Sequence, residues 1–306
     1  MKVIQHSAKT LQTALVCSRK DLAKLYGKYT KEERRLLEEG FHPGQPGSLF
    51  QYITVHSDSD WISAHPEKPQ DFKKFYDDPS RETPNASRNT IYIQTIGDLL
   101  QFLLEKKPDD AFCIVGITMI DLYPEDTWNF VFGQASLGMG MGVFSFARYD
   151  DNFYSRTYAG KLKNMLQPKQ GDYSVFDGYY TPPISSTLLL RSCKTMTHEI
   201  GHMFGIRHCQ WLSCVMQGSN HLEESDRRPL DFCPICLRKL QVAIGFKIAK
   251  RYEALLHWME EDQSESSRPE ETSACQSALH FHKPTEAFQT SRLWLHSCLD
   301  ILGEKR

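Results

Sequence analysis

Long apolar runs are missing from this 306-residue chain. No stretch of 18 apolar residues occurs, and the opening segment MKVIQHSAKTLQTALVCS has no uninterrupted apolar core, so neither a membrane-spanning helix nor a secretory leader is expected. An excess of one charge is missing too. The 36 Lys and Arg against 38 Asp and Glu leave a net charge of −2, which gives no basic footprint for nucleic acid or for an anionic membrane surface. The cysteines lack a pairing pattern. Their number, nine, is odd, and Cys17, Cys113, Cys193, Cys275 and Cys298 are scattered without the spacing of a disulfide framework. Reduced thiols fit an unsecreted, intracellular protein of the cytoplasm or nucleus.

What is present is concentrated in 39 residues, from His198 to Cys236. In HEIGHMFGIRH, His198 and His202 stand one helical turn apart, so both imidazoles project from one face and can share a metal. Glu199 is adjacent in sequence without being a ligand, which leaves its carboxylate free to take a proton from water at the metal. Gly205 tolerates the positive φ that ends a helix and turns the chain back, and His208 then arrives as third ligand. Three neutral imidazoles leave one tetrahedral position open, the pattern of a catalytic zinc. A metal-free helix with satisfied histidines is the plain alternative, and the added Gly205 and His208 at fixed offsets weigh against it.

The thiols follow at once. Cys209-x4-Cys214 and, 18 residues later, Cys233-x2-Cys236 have the spacing of a closed four-thiolate structural zinc site. Disulfides or a redox pair are the competing readings. Redox CxxC pairs sit after a strand, whereas Pro234 places Cys233 at the start of a helix.

This run resembles the archaemetzincins, metzincin-clan zinc peptidases whose signature joins HExxHxxGxxH to Cys-x4-Cys, a Met and a late CxxC. The resemblance covers about Ile91 to Glu260, and the segment SDWISAHPEKPQDF in the N-terminal portion looks familial as well. It gives Met216 the part of the Met-turn floor beneath the metal, with 16 residues between Met216 and Cys233, about one fewer than the signature. It implies an α+β (α/β) metzincin-like zincin fold, a twisted mixed sheet with an active-site helix above a smaller, mostly helical lower subdomain. It implies two zinc ions, one catalytic on His198, His202 and His208 and one structural on Cys209, Cys214, Cys233 and Cys236. It also implies aminopeptidase-like hydrolysis of short peptides, with Glu199 as general base. The partner expected is therefore a peptide substrate, with no nucleic acid and no membrane, and nothing sets the oligomeric state. The competing class is a non-catalytic zinc scaffold, against which the intact Glu199 argues. A nucleic-acid role for Arg227, Arg228, Arg238 and Lys239 is opposed by Glu223, Glu224 and Asp226.

Around the signature the chain divides into an N-terminal region (1–90), a catalytic region (91–260, with its upper part at 91–204 and its lower part at 205–260), a Ser-, Glu- and Pro-rich linker (261–284) and a C-terminal amphipathic helix (285–306). Short helices are expected at 8–25 and 31–39. Ile91–Ile96 and Ala111–Leu122 read as parallel strands joined by a helix at Asp98–Lys107. That connection is shorter than the resemblance implies, by a long helix and a strand, which predicts exposed apolar surface between Ile91 and Leu122. Trp128–Ser136 and Val143–Tyr149 read as strands around a glycine-rich turn, with Asn129–Ala135 the candidate edge for an extended peptide. Residues 151–184 read as a surface loop. Leu189, Cys193, Met196, Ile200 and Phe204 are expected to form the core stripe of the active helix. After Cys236, one helix is expected to run to about Glu260. His221 and His257 fall outside any ligand spacing.

Overall fold

The computed structural model describes residues 1–95, 107–122, 130–136, 140–155, 182–260 and 284–303. Its sheet is mixed. β3 (Thr90–Thr95), β4 (Ala111–Thr118) and β6 (Met141–Ser145) are parallel, and β5 (Gly133–Ser136) pairs antiparallel with β6, in the order β3-β4-β6-β5. β4 is central because it is apolar on both sides: Cys113 and Val115 enter the main core, while Ile114 joins Leu122, Met141 and Val143 on the other face. β3 forms one edge, and Ile91 and Ile93 are 37% and 57% exposed on it, the apolar exposure anticipated for this stretch. The helix expected at Asp98–Lys107 and most of the loop expected at 151–184 lie outside the described residues, as does the 261–284 linker except its last residue.

The remaining elements form a helical layer. A small antiparallel pair, β1 (Lys2–Ile4) with β2 (Ile53–Val55), accompanies α1 (Ala8–Val16), α2 (Lys20–Tyr26), α3 (Lys31–Glu38), α4 (Trp61–Ala64) and α5 (Phe72–Tyr76). α3 starts on a capping box, in which Thr30 and Glu33 each satisfy the other's backbone N–H. Then come the active helix α6 (Ser186–Met203), α7 (Leu222–Arg227), α8 (Pro234–Ile244), α9 (Ile248–Glu260) and α10 (Gln289–Leu302). N-terminal Leu11, Leu15, Leu36, Phe72 and Phe75 share one continuous core with Cys209, Met216, Leu237 and Leu295. Fully burying each such phenylalanine contributes about 1.5–3 kcal/mol, so residues 1–90 are a structural partner of the thiol-rich half.

Arg238 on α8 ties the two together. It is wholly buried, donates to the carbonyls of Leu15, Val16 and Leu22, and lies 3.5 Å over the Phe72 ring. A cation at the end of α1 satisfies carbonyls that the helix itself leaves unpaired. Lys239 is buried on Gln70, 2.6 Å from its carbonyl, and Arg228 is buried too. Three of the four cations considered for nucleic acid are therefore internal.

Three local expectations change. The strand expected at Val143–Tyr149 is β6 at Met141–Ser145, because the chain coils into a short 3-10 turn at Ala147–Tyr149. The helix expected to run unbroken from Cys236 to Glu260 is two helices, because Gly245 takes a left-handed φ of 87° and terminates α8. On α6, the stripe Leu189, Cys193, Met196 and Ile200 is only half-buried, and of the expected five only Phe204 is fully inside. The deeper face carries Leu188, Ser192, Thr195 and His198, because β5, β6 and the turn at Ala147–Tyr149 cover that side. Cys193, Met196 and Ile200 instead border a pocket of about 320 Å³ closed by Leu255, Trp258 and Phe288.

Candidate active site

α6 begins on Ser185, whose hydroxyl accepts the Leu188 N–H, and ends where Gly205 adopts φ 82°. The left-handed turn expected at Gly205 is present and swings His208 back toward His198 and His202. One ring nitrogen from each of the three histidines lies within 4.8 Å of the other two. The other nitrogen of each ring is committed outward. Nδ1 of His198 lies 2.8 Å from the Val215 carbonyl, Nδ1 of His202 lies 2.6 Å from the Ile206 carbonyl, and Nδ1 of His208 lies 2.7 Å from a carboxylate oxygen of Glu67.

Those oxygens can only accept, so each Nδ1 carries a proton, at His198 despite the Arg228 guanidinium 3.2 Å from the same nitrogen, and the neutral rings of His198 and His202 present a lone pair at Nε2. The Nε2 atoms of His198 and His202 then face each other at 3.0 Å with no hydrogen between them, a repulsive pair unless a cation lies between. Nitrogens at zinc-bond length in a tetrahedron are about 3.3 Å apart, so the donor set fits that metal. Burial, the neighbouring imidazoles and the Arg228 guanidinium hold His198 well below the ordinary histidine range, and burial and His208 bring His202 down to about 3, which keeps both rings neutral.

Met216 lies directly under α6. A Cβ on Gly201 would stand 2.5 Å from its sulfur, so the glycine between His198 and His202 is what lets Met216 approach. Cys209, Cys214, Cys233 and Cys236 form a second, fully buried cluster whose sulfurs lie within 4.8 Å of one another. The Cys209 and Cys233 sulfurs are 3.7 Å apart, far beyond a disulfide bond and close to the roughly 3.8 Å expected around tetrahedral zinc. Backbone N–H groups of Met216 and Cys233 donate to the Cys214 sulfur at 3.5 and 3.3 Å. Complete burial also removes the access that a redox pair needs.

The three histidines and Glu199 open on a cleft of about 540 Å³ whose far wall is Phe130–Ala135. Asn129 lies outside the described residues; among the described residues β5 pairs only with β6 and stands last in the sheet, with Phe130–Ala135 along the cleft. Burial pushes the Glu199 carboxyl up to about 7, against the opposing pull of Arg228. Arg228 donates to the Gln217 carbonyl at 2.6 Å and to the Ser225 hydroxyl at 3.2 Å while facing the cleft. Tyr149 and Thr195 share a buried hydroxyl–hydroxyl bond behind it.

Two contributors escape a reading of the motif alone. Glu67 and Trp61 reach the site from the N-terminal region, 141 and 147 positions before His208, and no spacing rule connects them. The familial look of SDWISAHPEKPQDF is the only sequence signal that points there. For Glu67, burial is outweighed by the hydrogen bonds from His208 and the Trp61 indole, and its carboxyl is held below the usual range. His221, read as a bystander, caps α7 and meets buried Asp60 at 3.2 Å. Asp60, His221 and Glu224 are close enough to suggest a third metal site. Every carboxylate oxygen there already accepts from a backbone N–H, Ser57, His221 or Arg227, so the group is a latch.

A mixed sheet ending in an antiparallel edge, lying beside a helix that carries HExxH and a glycine turn to a third histidine, defines a zincin-type metallopeptidase. The wider comparisons narrow this. Residues 156–242 match Peptidase family M54. Archaemetzincin-2 of Homo sapiens is 47% identical over 360 aligned positions, covering 99% of each chain, and that of Mus musculus is 48% identical with the same coverage. The chain belongs to the archaemetzincin family of zinc-dependent metallopeptidases. The alignment is longer than the 306 residues here, so gaps fall on this chain. Among solved structures, a zinc-dependent peptidase from Methanocorpusculum labreanum is 29% identical, with 47% of this chain and 62% of that one covered and a TM-score of 0.32. Among the described residues no helix is long and apolar enough to cross a membrane.

Proposed function

We propose that this chain hydrolyses short peptides in an aminopeptidase-like manner at a zinc held by His198, His202 and His208, with Glu199 moving the protons, and that Cys209, Cys214, Cys233 and Cys236 hold a second, structural zinc. The observation that carries the reading is the set of outward Nδ1 hydrogen bonds, which turns one nitrogen of each ring toward the other two beside the half-buried Glu199 carboxylate. Zinc bound there supplies Lewis acidity to a water molecule and to the scissile carbonyl.

The protein's own groups do the rest. Glu199 accepts a proton from the attacking water and returns it to the leaving amine. The outer edge of β5 offers backbone donors and acceptors to an extended peptide lying along the cleft. Among the described residues, Glu199 is the one carboxylate lining the cleft, so a free amino terminus would be met there by uncharged acceptors such as Asn220. The short-peptide register is carried by the family resemblance.

The test is product mapping by mass spectrometry on a mixed peptide library. Zinc-loaded parent should release amino-terminal residues, and Glu199→Gln should lower the rate by about a hundredfold or more with metal retained. Equal product from parent, Glu199→Gln and chelated protein would overturn the catalytic reading in favour of a zinc scaffold.

A further inference from the structure

We propose that Glu67 is a positioning residue for the third histidine, so that the N-terminal region is a working part of the active site. This rests on the zinc reading above. The three histidines are held unequally. His198 and His202 donate to backbone carbonyls, that of Val215 beside Met216, 17 positions on, and that of Ile206 in the turn that ends the helix. His208 lies beyond the helix, on an irregular segment, and its Nδ1 donates to a side chain 141 positions away.

Glu67 is braced for that contact. The oxygen that receives His208 also accepts the Trp61 indole N–H at 2.7 Å, so the carboxylate is held between two donors. The Trp61 ring stands edge-on to the His208 ring at 4.8 Å, and the His65 ring lies 4.3 Å from Trp61. Trp61 is pinned in turn. Its backbone N–H donates to Glu224 at 2.8 Å, and the other Glu224 oxygen takes the Asn220 N–H at 2.7 Å. The indole rests on Gly218, where a Cβ would stand 2.4 Å from the ring, two residues beyond Met216.

The latch on Asp60 fixes the start of the same one-turn helix, by way of the His56 N–H and Arg227, both at 2.8 Å. The chain of contacts runs from the turn after Met216, through Glu224 and Trp61, to Glu67 and back to His208. A carboxylate is a stronger acceptor than a carbonyl. It locks the His208 tautomer, fixes the ring plane and raises the basicity of the nitrogen offered to metal.

The experiment uses full-length protein loaded with zinc, and with cobalt(II) as a spectroscopic stand-in. Glu67→Ala should weaken metal affinity at the histidine site by roughly ten- to a hundredfold in competition with a graded chelator. Glu67→Gln keeps an oxygen acceptor without the charge and should fall between Glu67→Ala and the parent. The thiolate-to-cobalt absorption of the four-cysteine site should be the same in all three, which a general loss of structure would not allow. If Glu67→Ala does not fold, Trp61→Phe keeps the ring, deletes the indole donor and should reproduce a weaker form of the effect. Folded Glu67→Ala holding its histidine-site metal as tightly as the parent overturns the inference. So does Trp61→Phe with parental affinity when Glu67→Ala is unfolded. A parent that binds no second, chelator-labile zinc overturns the zinc reading and this inference together.

Discussion

Replacing Gly201 by alanine sets two effects of similar size against each other. Alanine in the last turn of α6 gains at most about 1 kcal/mol of helix propensity over glycine. Its methyl would stand 2.5 Å from the Met216 sulfur and 3.0 Å from the Met216 methyl, where contacts of about 3.5–4.0 Å are normal. The sulfur must therefore retreat by about 1 Å, and it has little room. Met216 is fully buried, its carbonyl accepts the Cys209 N–H at 2.7 Å, and its own N–H donates to the Cys214 sulfur at 3.5 Å. Overpacking of this kind costs about 1–3 kcal/mol, which outweighs the propensity gain and leaves a net loss of roughly 0–2 kcal/mol. The larger consequence is geometric. If α6 rides up instead, His198 and His202 move while His208 stays, and affinity for the catalytic zinc should fall by about tenfold or more. Urea unfolding at fixed excess zinc gives the first quantity, and chelator competition gives the second. In a Met216→Ala background the clash disappears, so Gly201→Ala should change sign and stabilise by at most about 1 kcal/mol. A Gly201→Ala protein more stable than the parent by the full propensity gain, with unchanged zinc affinity, would refute the reasoning.

Further outcomes follow from the same structure. Two zinc ions of different lability are expected, and mild chelation should remove the histidine-bound ion with activity while the thiolate-bound ion and the fold remain; metal analysis showing one ion per chain at full activity would contradict this. Because His208 and Cys209 are consecutive, folded Cys233→Ser should weaken the catalytic site by roughly ten- to a hundredfold, and parental affinity would show the two sites to be uncoupled neighbours. Burial lowers the Lys194 ammonium to about 8 from its ordinary 10.5. The folded chain thus holds fewer protons there than the unfolded chain between those values, and stability should rise with pH across that window, by up to about 3 kcal/mol. Lys194→Met should flatten the rise in a pH series of unfolding curves, and a parent curve already flat would argue against it.

Wherever groups that come together are neighbours in the chain, their convergence could be read from the sequence. His198, Glu199 and His202 share one helix, Gly205 must turn, and His208 to Cys214 follow within one short segment, so spacing alone limits where these groups can stand. The same holds for Cys233 and Cys236 around Pro234, and for the β3–β4 and β5–β6 pairings, whose connections are short. The break at Gly245 was a local signal outvoted by a continuous apolar periodicity on either side of it. The burial of α6 was different: an apolar stripe predicts burial, yet here the polar face lies deeper, because what covers a helix is decided by the elements that pack on it. Glu67, Trp61 and the buried Arg228 could not be assigned from spacing or periodicity, and only the familial look of the segment around Glu67 pointed toward the first two. A hydrogen bond across 141 residues leaves no periodicity or spacing behind, and only the folding of the N-terminal region onto the thiol-rich half brings that carboxylate to His208.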